Sequence, residues 1–171
     1  FGARAAASVP RLAQVVTNED PATRAAAARA LAAIGAAPAA GELVKAWLIA
    51  EPAGADPGPR LDVLLALAAA AATDDAALAA FPAVPGALDP LGWLAAVERV
   101  GPRAARAETM AAIKPLLAPE TVTVAVLRPV AALRTGAAPL AGALMAVLAN
   151  EAAISRDATL REVASLALAL T

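Results

Sequence analysis

Apolar residues dominate the sequence, and short polar or proline-containing segments interrupt them at a regular interval. Alanine, alone or with larger aliphatic residues, fills stretches such as residues 25–28 and 63–72. Alanine and leucine favour helix strongly, whereas the β-branched and aromatic runs typical of strands are almost absent, except around residues 122–126. The pattern therefore predicts an all-α protein.

Asp-Pro pairs mark the expected starts of helices at Asp20-Pro21, Asp56-Pro57 and Asp89-Pro90. An Asp side chain at the N-cap accepts from free backbone N–H groups, and Pro at the first helical position gives up a donor that has no intrahelical partner. Glu120 and Asp157 fit the same position without the proline. The five caps lie 36, 33, 31 and 37 residues apart, which indicates an internal repeat of about 34 residues.

A repeat of this length holds one helical hairpin, so we expect about five antiparallel helix pairs in a single repeat domain. The units lie near residues 3–35, 36–72, 73–101, 102–135 and 136–171. First helices are expected near 4–16, 39–51, 74–82, 103–117 and 137–149, and second helices near 21–34, 57–72, 90–100, 120–134 and 158–170. Gly35 and Gly101 are expected to end two of them. The segment 81–86 shortens the third unit's first helix, and residues 52–55 insert a loop in the second unit.

Prolines recur inside the apolar stretches at Pro10, Pro115 and Pro139. A proline inside a helix costs about 3 kcal/mol, because it removes a hydrogen bond and clashes with the preceding turn. Since these prolines recur at a similar register, we expect them at kinks or in first turns.

The first unit carries the most specific sequence pattern, in residues 2–12, 19–24 and 26–35. This pattern resembles a bacterial HEAT repeat of the short type also found in phycobilisome-lyase-like proteins. Residues 157–170 match less closely, and the three middle units match in spacing and caps. The signatures of tetratricopeptide and ankyrin repeats are absent. The resemblance implies an α-solenoid whose usual role is protein binding, and it carries over no catalytic residues.

Small alanines allow helix axes to approach closely, and larger side chains are expected to fill the remaining gaps. We expect the following residues in the core: Leu12, Val16, Leu31, Ile34, Leu43, Trp47, Leu48, Leu64, Leu67, Leu94, Val97, Ile113, Leu117, Leu144 and Val147. Alanine buries little area, so stability must come from many interfaces in series. Neither terminal unit has the polar face of a solenoid cap, so we expect a piece of a longer chain or an end that docks on another subunit.

The composition excludes several chemistries. Without His or Cys there is no Ser-His-Asp triad, thiol nucleophile or His/Cys zinc site. Asp74 and Asp75 are expected in the acidic first turn of a helix capped by Thr73, and no further ligands follow at metal-binding spacing. We therefore expect no enzyme activity, no cofactor and no metal site.

Charge and hydropathy restrict the partners. Fourteen basic and fifteen acidic residues give a net charge of −1, scattered along the chain, so nucleic acid is not expected as a ligand. Mean hydropathy is +0.66, but the longest apolar runs, 63–72 and 137–149, fall short of the roughly 18–20 residues of a spanning helix. No transmembrane segment is predicted, and peripheral membrane association is left open.

Three arginines follow their caps by four residues: Arg24, Arg60 and Arg161. They are candidates for a carboxylate-binding ladder on a concave surface. The favoured alternative is that each pairs with its own Asp at i−4 or with the cap of the neighbouring repeat, contacts worth ~0.3–0.5 kcal/mol when exposed.

The two tryptophans receive different predictions. Trp47 shares helical spacing with Leu43 and Leu48, so a core role is favoured. Trp93 stands at the arginine position of the third unit. It is either an exposed aromatic anchor for a partner, or it fills the gap left by the degenerate repeat.

The sequence thus predicts a non-enzymatic HEAT-like scaffold for protein–protein interaction, as a subunit of a larger complex. Its candidate binding surface is Trp93 with Arg24, Arg60 and Arg161, and the partner is unidentified. One alternative is the accessory repeat domain of a lyase-like or DNA-glycosylase-like enzyme whose catalytic groups lie elsewhere. The other is an accessory subunit of a membrane complex.

Overall fold

The computed structural model describes residues 5–18, 20–35, 37–49, 57–86 and 88–171. All regular elements in these ranges are helical, and no strand occurs among them, so the all-α prediction is confirmed. The chain divides into two compact units. Unit 1 is Phe1–Pro82 with Gly86–Val100, and unit 2 is Ala83–Pro85 with Gly101–Thr171. The main division falls between Val100 and Gly101.

The described part of unit 1 contains six α-helices, two for each of the first three predicted units. Its α-helices are α1 (Val9–Val15), α2 (Pro21–Ile34), α3 (Ala40–Ile49), α4 (Pro57–Ala71), α5 (Asp75–Ala80) and α6 (Pro90–Val100). The second helices pack in series, α2 against α4 and α4 against α6, while α3 contacts both α1 and α5. Each helix therefore packs against the corresponding helix of the neighbouring pair.

Alanines and a few large side chains form the core of unit 1. Residues 25, 27 and 28 of α2 and 66, 68, 70 and 71 of α4 are buried alanines, which allow the second helices to approach closely. Leu31, Leu64 and Leu94 fill the space between them. Four of the expected core residues are not fully buried. Leu48, near the end of α3, is 74% exposed, and Leu12, Ile34 and Trp47 are only partly buried.

The predicted caps of unit 1 are confirmed where the structure describes them. The Asp20 carboxylate accepts from the backbone N–H of Thr23 at 2.8 Å, and Asp89 accepts from Gly92 at the same distance. Gly35 ends α2 with φ 121°, a conformation that side chains disfavour. Asp56 and the predicted loop insertion lie outside the described residues.

Unit 2 alternates α-helices with 3₁₀ segments. Its α-helices are α7 (Ala107–Ile113), α8 (Val124–Leu133), α9 (Ala141–Ala149), α10 (Glu151–Arg156) and α11 (Ala158–Leu170), and its 3₁₀ segments are Gly101–Ala104, Lys114–Leu117 and Arg134–Leu140. Helix α11 packs against both α8 and α9, so second helices again contact each other.

The prolines explain the 3₁₀ segments of unit 2. Pro115 lies in the first turn of the segment Lys114–Leu117, and Pro139 lies within Arg134–Leu140 just before α9. Because proline has no N–H and clashes with the preceding turn, an α-helix does not run through these positions unchanged. In unit 1, Pro10 occupies the first turn of α1, as expected.

Two caps of unit 2 differ from expectation. Asp157 caps α11 as predicted, accepting from the Thr159 N–H at 2.9 Å. Glu120 does not cap α8, because that helix begins at Val124 after Thr123, so this prediction is wrong. Asn150 caps the unpredicted helix α10 by accepting from Ala153 at 2.8 Å.

Candidate interaction surface

Arg24 lies in the core of unit 1. Its side chain is only 7% exposed, and Nη1 donates to the carbonyl of Asn18 at 2.9 Å. The guanidinium thus holds the turn that precedes α2. The prediction that Arg24 belongs to an exposed carboxylate-binding ladder is therefore wrong, because its side chain binds the backbone of its own chain.

Arg60 and Trp47 form a pair between α4 and α3. The Cζ atom of Arg60 lies 4.9 Å from the centroid of the Trp47 ring, a cation–π geometry. Both side chains are half-buried, so Trp47 is not the core residue that its helical spacing suggests. The contact joins α3 to α4.

Arg161 and Trp93 complete the predicted surface, and they differ sharply. Arg161 is exposed near the start of α11, where it remains a candidate contact for a partner. Trp93 is fully buried, and its indole Nε1 donates to the carbonyl of Pro82 at 3.1 Å. The exposed-anchor prediction is wrong, because the ring fills the space beside the short helix α5.

The acidic pair after α4 acts as a cap. Asp74, and not Thr73, is the N-cap of α5, since its carboxylate accepts from Ala77 at 2.8 Å. Asp75 follows in the first turn, where a negative charge complements the helix dipole. Within the described ranges, no group of three or more carboxylates lies close enough to hold a metal ion.

Two other aspartates have lowered pKa values. The hydroxyl of Thr23 donates to Asp20 at 2.5 Å, and this bond is the largest cause that lowers the pKa of Asp20 below its ordinary 3.8. The side chain of Thr159 lowers the pKa of Asp157 in the same way. Both carboxylates are occupied as helix caps.

Arginines other than the predicted ones contact residues about one predicted repeat length away in the sequence. Arg29 forms an ion pair with Asp62, and Arg99 donates to the carbonyl of Leu65 at 3.3 Å. In unit 2, Arg156 donates to the carbonyl of Glu120 at 2.6 Å. These partners lie 33, 34 and 36 residues apart, close to the repeat length. The spacing of charges in the sequence could have indicated the Arg29–Asp62 pair, but not the other two contacts, because their acceptors are backbone carbonyls.

A small groove crosses the second helices of unit 1. Arg29, Leu65 and Arg99 contribute to its lining, and its volume is about 280 Å³. Asp62 also lines it and pairs with Arg29, so opposite charges neutralise part of its surface.

A larger groove, the unit-2 groove, lies between α7 and the 3₁₀ segment Arg134–Leu140. Its volume is about 450 Å³, and its lining includes Arg106, Met110, Lys114, Gly136, Pro139 and Leu140. The described lining contains two cations and no acidic side chain.

Several large apolar side chains are exposed in each unit. They include Leu48, Ile49 and Leu91 in unit 1. In unit 2 they include Met145 and Leu166. Leu170 lies four residues after Leu166, so the two share a face of α11. Single exposed apolar residues are normal, and these residues offer apolar contact area on the surface of each unit.

One stretch meets the length and hydropathy criteria for crossing a membrane. Residues Val124–Ala149 have a window of mean hydropathy 1.5, of which 33% is buried. Arg134, with φ 52°, separates α8 from α9 inside this stretch. Neither α8 nor α9 reaches the ~20 residues that a spanning helix needs.

No known protein family, curated protein or solved structure matches this chain.

Proposed function

We propose that the chain is a HEAT-like α-solenoid scaffold that binds another protein and has no catalytic activity of its own. The observation that carries this proposal is the set of arginine contacts between residues one repeat apart: Arg29 with Asp62, Arg99 with Leu65, and Arg156 with Glu120. Such contacts tie each helix pair to its neighbour, as expected of an array whose units cannot bury their apolar faces alone.

Stacking in series supports a role in presenting a surface. In unit 1, α4 lies between α2 and α6, so all three second helices contribute to one continuous side. A surface held by packed helices loses little conformational freedom on binding, which favours affinity. A HEAT-like scaffold would work by offering such a preorganised surface to a partner.

The polar side chains support binding more than catalysis. The two carboxylates with lowered pKa values accept from their own helix N-termini, and Arg24 holds a backbone turn. Catalytic groups instead need access to a substrate and a pKa suited to proton transfer. The exposed residues Leu91 and Met145 are better suited to an apolar protein contact.

Site-specific photocrosslinking tests this proposal. A photoreactive aromatic amino acid replaces Leu91 or Met145 in the full chain, and Ala26, exposed on α2, serves as the control position. We expect one discrete partner that crosslinks at an apolar position and binds the purified chain directly. Leu91→Asp or Met145→Asp should then weaken binding, while Ala26→Asp should not. Absence of any partner, combined with catalytic activity of the chain alone, would refute the proposal.

The stretch Val124–Ala149 favours one second candidate, an accessory subunit of a membrane complex. Flotation with phosphatidylcholine vesicles distinguishes the two. The scaffold proposal expects the purified chain to stay in the aqueous fraction, whereas the membrane alternative expects it to float with the vesicles and to require detergent.

A further inference from the structure

The unit-2 groove combines apolar and cationic side chains. Met110, Pro139 and Leu140 provide apolar lining, while Arg106 and Lys114 provide positive charge without an acidic side chain in the lining. We propose that this groove binds a segment of a protein partner in which an apolar side chain stands next to a carboxylate. This inference rests on the proposed function, because it names the chemistry of the partner.

Lys114 carries the electrostatic part of the argument. Its side chain is exposed, and it forms no ion pair with any described residue. A carboxylate placed over Met110 would therefore meet an available ammonium group at the edge of an apolar surface. Charge-assisted hydrogen bonds of this kind are stronger than neutral ones.

The net charges of the two units also favour an acidic ligand at unit 2. Unit 2 holds seven basic and five acidic residues, whereas unit 1 holds seven basic and ten acidic residues. An acidic segment is thus attracted to unit 2 and repelled by unit 1, even though the whole chain is nearly neutral. Such complementarity selects the binding site and speeds association.

The groove wall is closely packed. A Cβ added at Gly136 would lie 2.3 Å from the Cβ of Ala105, so the backbone of the 3₁₀ segment approaches residue 105 more closely than any side chain allows. The same segment begins at Arg134, whose φ of 52° is strained for a residue with a side chain. Strain of this kind clusters at ligand sites.

The groove's size favours a short segment over a folded domain. Its volume of about 450 Å³ lies within the range of ligand pockets, and it admits one or two apolar side chains. A peptide segment satisfies both the apolar lining and the positive edge at once.

Fluorescence anisotropy with the full chain and labelled hexapeptides tests the proposal. The main peptide has two leucines flanked by glutamates. In one comparison peptide lysines replace the glutamates, and in the other glycines replace the leucines. We expect saturable binding of the first peptide alone, weakened by salt because exposed charges are screened.

Two substitutions locate the binding. Ala111→Glu places a carboxylate in the groove lining, and Lys114→Glu reverses the available charge. Each should weaken binding about tenfold or more, equivalent to about 1.4 kcal/mol. Ala146→Glu is the matched control, since Ala146 is exposed on α9 outside the groove. Circular dichroism verifies that each variant keeps its helix content.

Unchanged binding by Ala111→Glu, equal binding of the lysine peptide, or no saturable binding overturns the inference. Displacement of the peptide by octanoate at equal carboxylate concentration would assign the groove to small amphiphilic acids and would also overturn it. Failure here is distinguishable from failure of the scaffold proposal. A partner that crosslinks at Leu91 in unit 1, and binds the Ala111→Glu variant normally, leaves that proposal intact.

Discussion

The two units use proline at different places, and their helices differ accordingly. In unit 1, Pro21 and Pro90 stand at the first helical position, and the helices they open run for 14 and 11 residues. In unit 2, Pro115 and Pro139 fall inside apolar stretches, where 3₁₀ segments replace continuous α-helix. Proline at the first helical position is compatible with a regular helix, and Pro115 and Pro139 coincide with 3₁₀ segments, but Pro129 lies inside α8 without interrupting it.

This difference extends to the surfaces. The regular pairs of unit 1 pack alanine against alanine and leave a small groove in which opposite charges meet. The interrupted pairs of unit 2 leave a larger groove with positive charge. Both tryptophans lie in unit 1, so tryptophan fluorescence reports on unit 1, while circular dichroism reports on the helices of both units.

The largest expected effect is in the core of unit 1. Trp93→Ala should lower the free energy of unfolding by about 3–5 kcal/mol, because it removes a fully buried ring and its bond to Pro82. Chemical denaturation followed by circular dichroism and by the fluorescence of Trp47 measures the loss. The control is Trp47→Ala, which should cost less because that ring is half-exposed. Equal losses would contradict the core assignment of Trp93.

The next effect is in unit 2. Gly136→Ala should destabilise the protein by about 1–3 kcal/mol, since the new methyl would overlap Ala105. Gly142→Ala, in α9, has no atom within 4 Å of the new Cβ and should stabilise by about 0.5–1 kcal/mol. Denaturation followed by circular dichroism compares the two. Similar changes in stability for the two variants would show that the backbone at Gly136 can move away from Ala105.

A gain of stability, smaller in size than the loss expected for Gly136→Ala, is expected from a substitution at Arg134. Arg134→Gly should stabilise unit 2 by about 1 kcal/mol, because glycine relieves the positive φ. The same substitution at Arg161, inside α11, should destabilise by up to about 1 kcal/mol through lost helix propensity. Thermal denaturation measures the stability of each variant: we expect a gain for Arg134→Gly and a loss for Arg161→Gly. A loss of stability in both variants would refute the strain at Arg134.

The smallest effect is the pH dependence of the caps, one in each unit. The folded-state pKa values of Asp20 and Asp157 are lowered from 3.8, so their stabilising contribution is present above pH 3.8 and is lost as the pH falls through the lowered values. Asp20→Asn and Asp157→Asn keep a capping oxygen that does not ionise. Each should therefore flatten the acid side of the stability profile.

Glu120→Gln is the matched control for these caps, because Glu120 caps no helix in the structure. Its acid profile should follow the wild type. Tryptophan fluorescence should register the Asp20 variant, which lies in unit 1. A steeper acid loss in either Asn variant would contradict the assigned direction of the pKa.

Much of the fold could be predicted from local signals. Asp20 and Asp157 each cap the helix that directly follows them. Gly35 ends the first of these helices because glycine tolerates positive φ. The cap predicted at Glu120 is wrong, because its longer side chain is a poorer cap than Asp and no proline follows it. Asn150 was missed because it falls outside the repeat register.

The candidate surface could not be predicted in the same way. One repeated sequence position, four residues after an Asp-Pro aspartate, is occupied by Arg24, Arg60 and Trp93. The first of these side chains holds a turn, the second stacks on Trp47 and the third fills the core. Their surroundings differ because α5 is short and α3 is long. The role of a repeated position therefore depends on the neighbouring pair.

By itself, the sequence determined the helical class and most helix boundaries, because these depend on propensities, caps and prolines acting within a few residues. Only the tertiary structure decided which side chains are buried and that Arg29, Arg99 and Arg156 contact residues 33 to 36 positions away. It also decided that α7 and the segment Arg134–Leu140 line a groove with two cations and no acidic side chain in its described lining. Burial and pairing depend on residues about 33 to 37 positions apart, whose approach is set by helix packing and not by local preference.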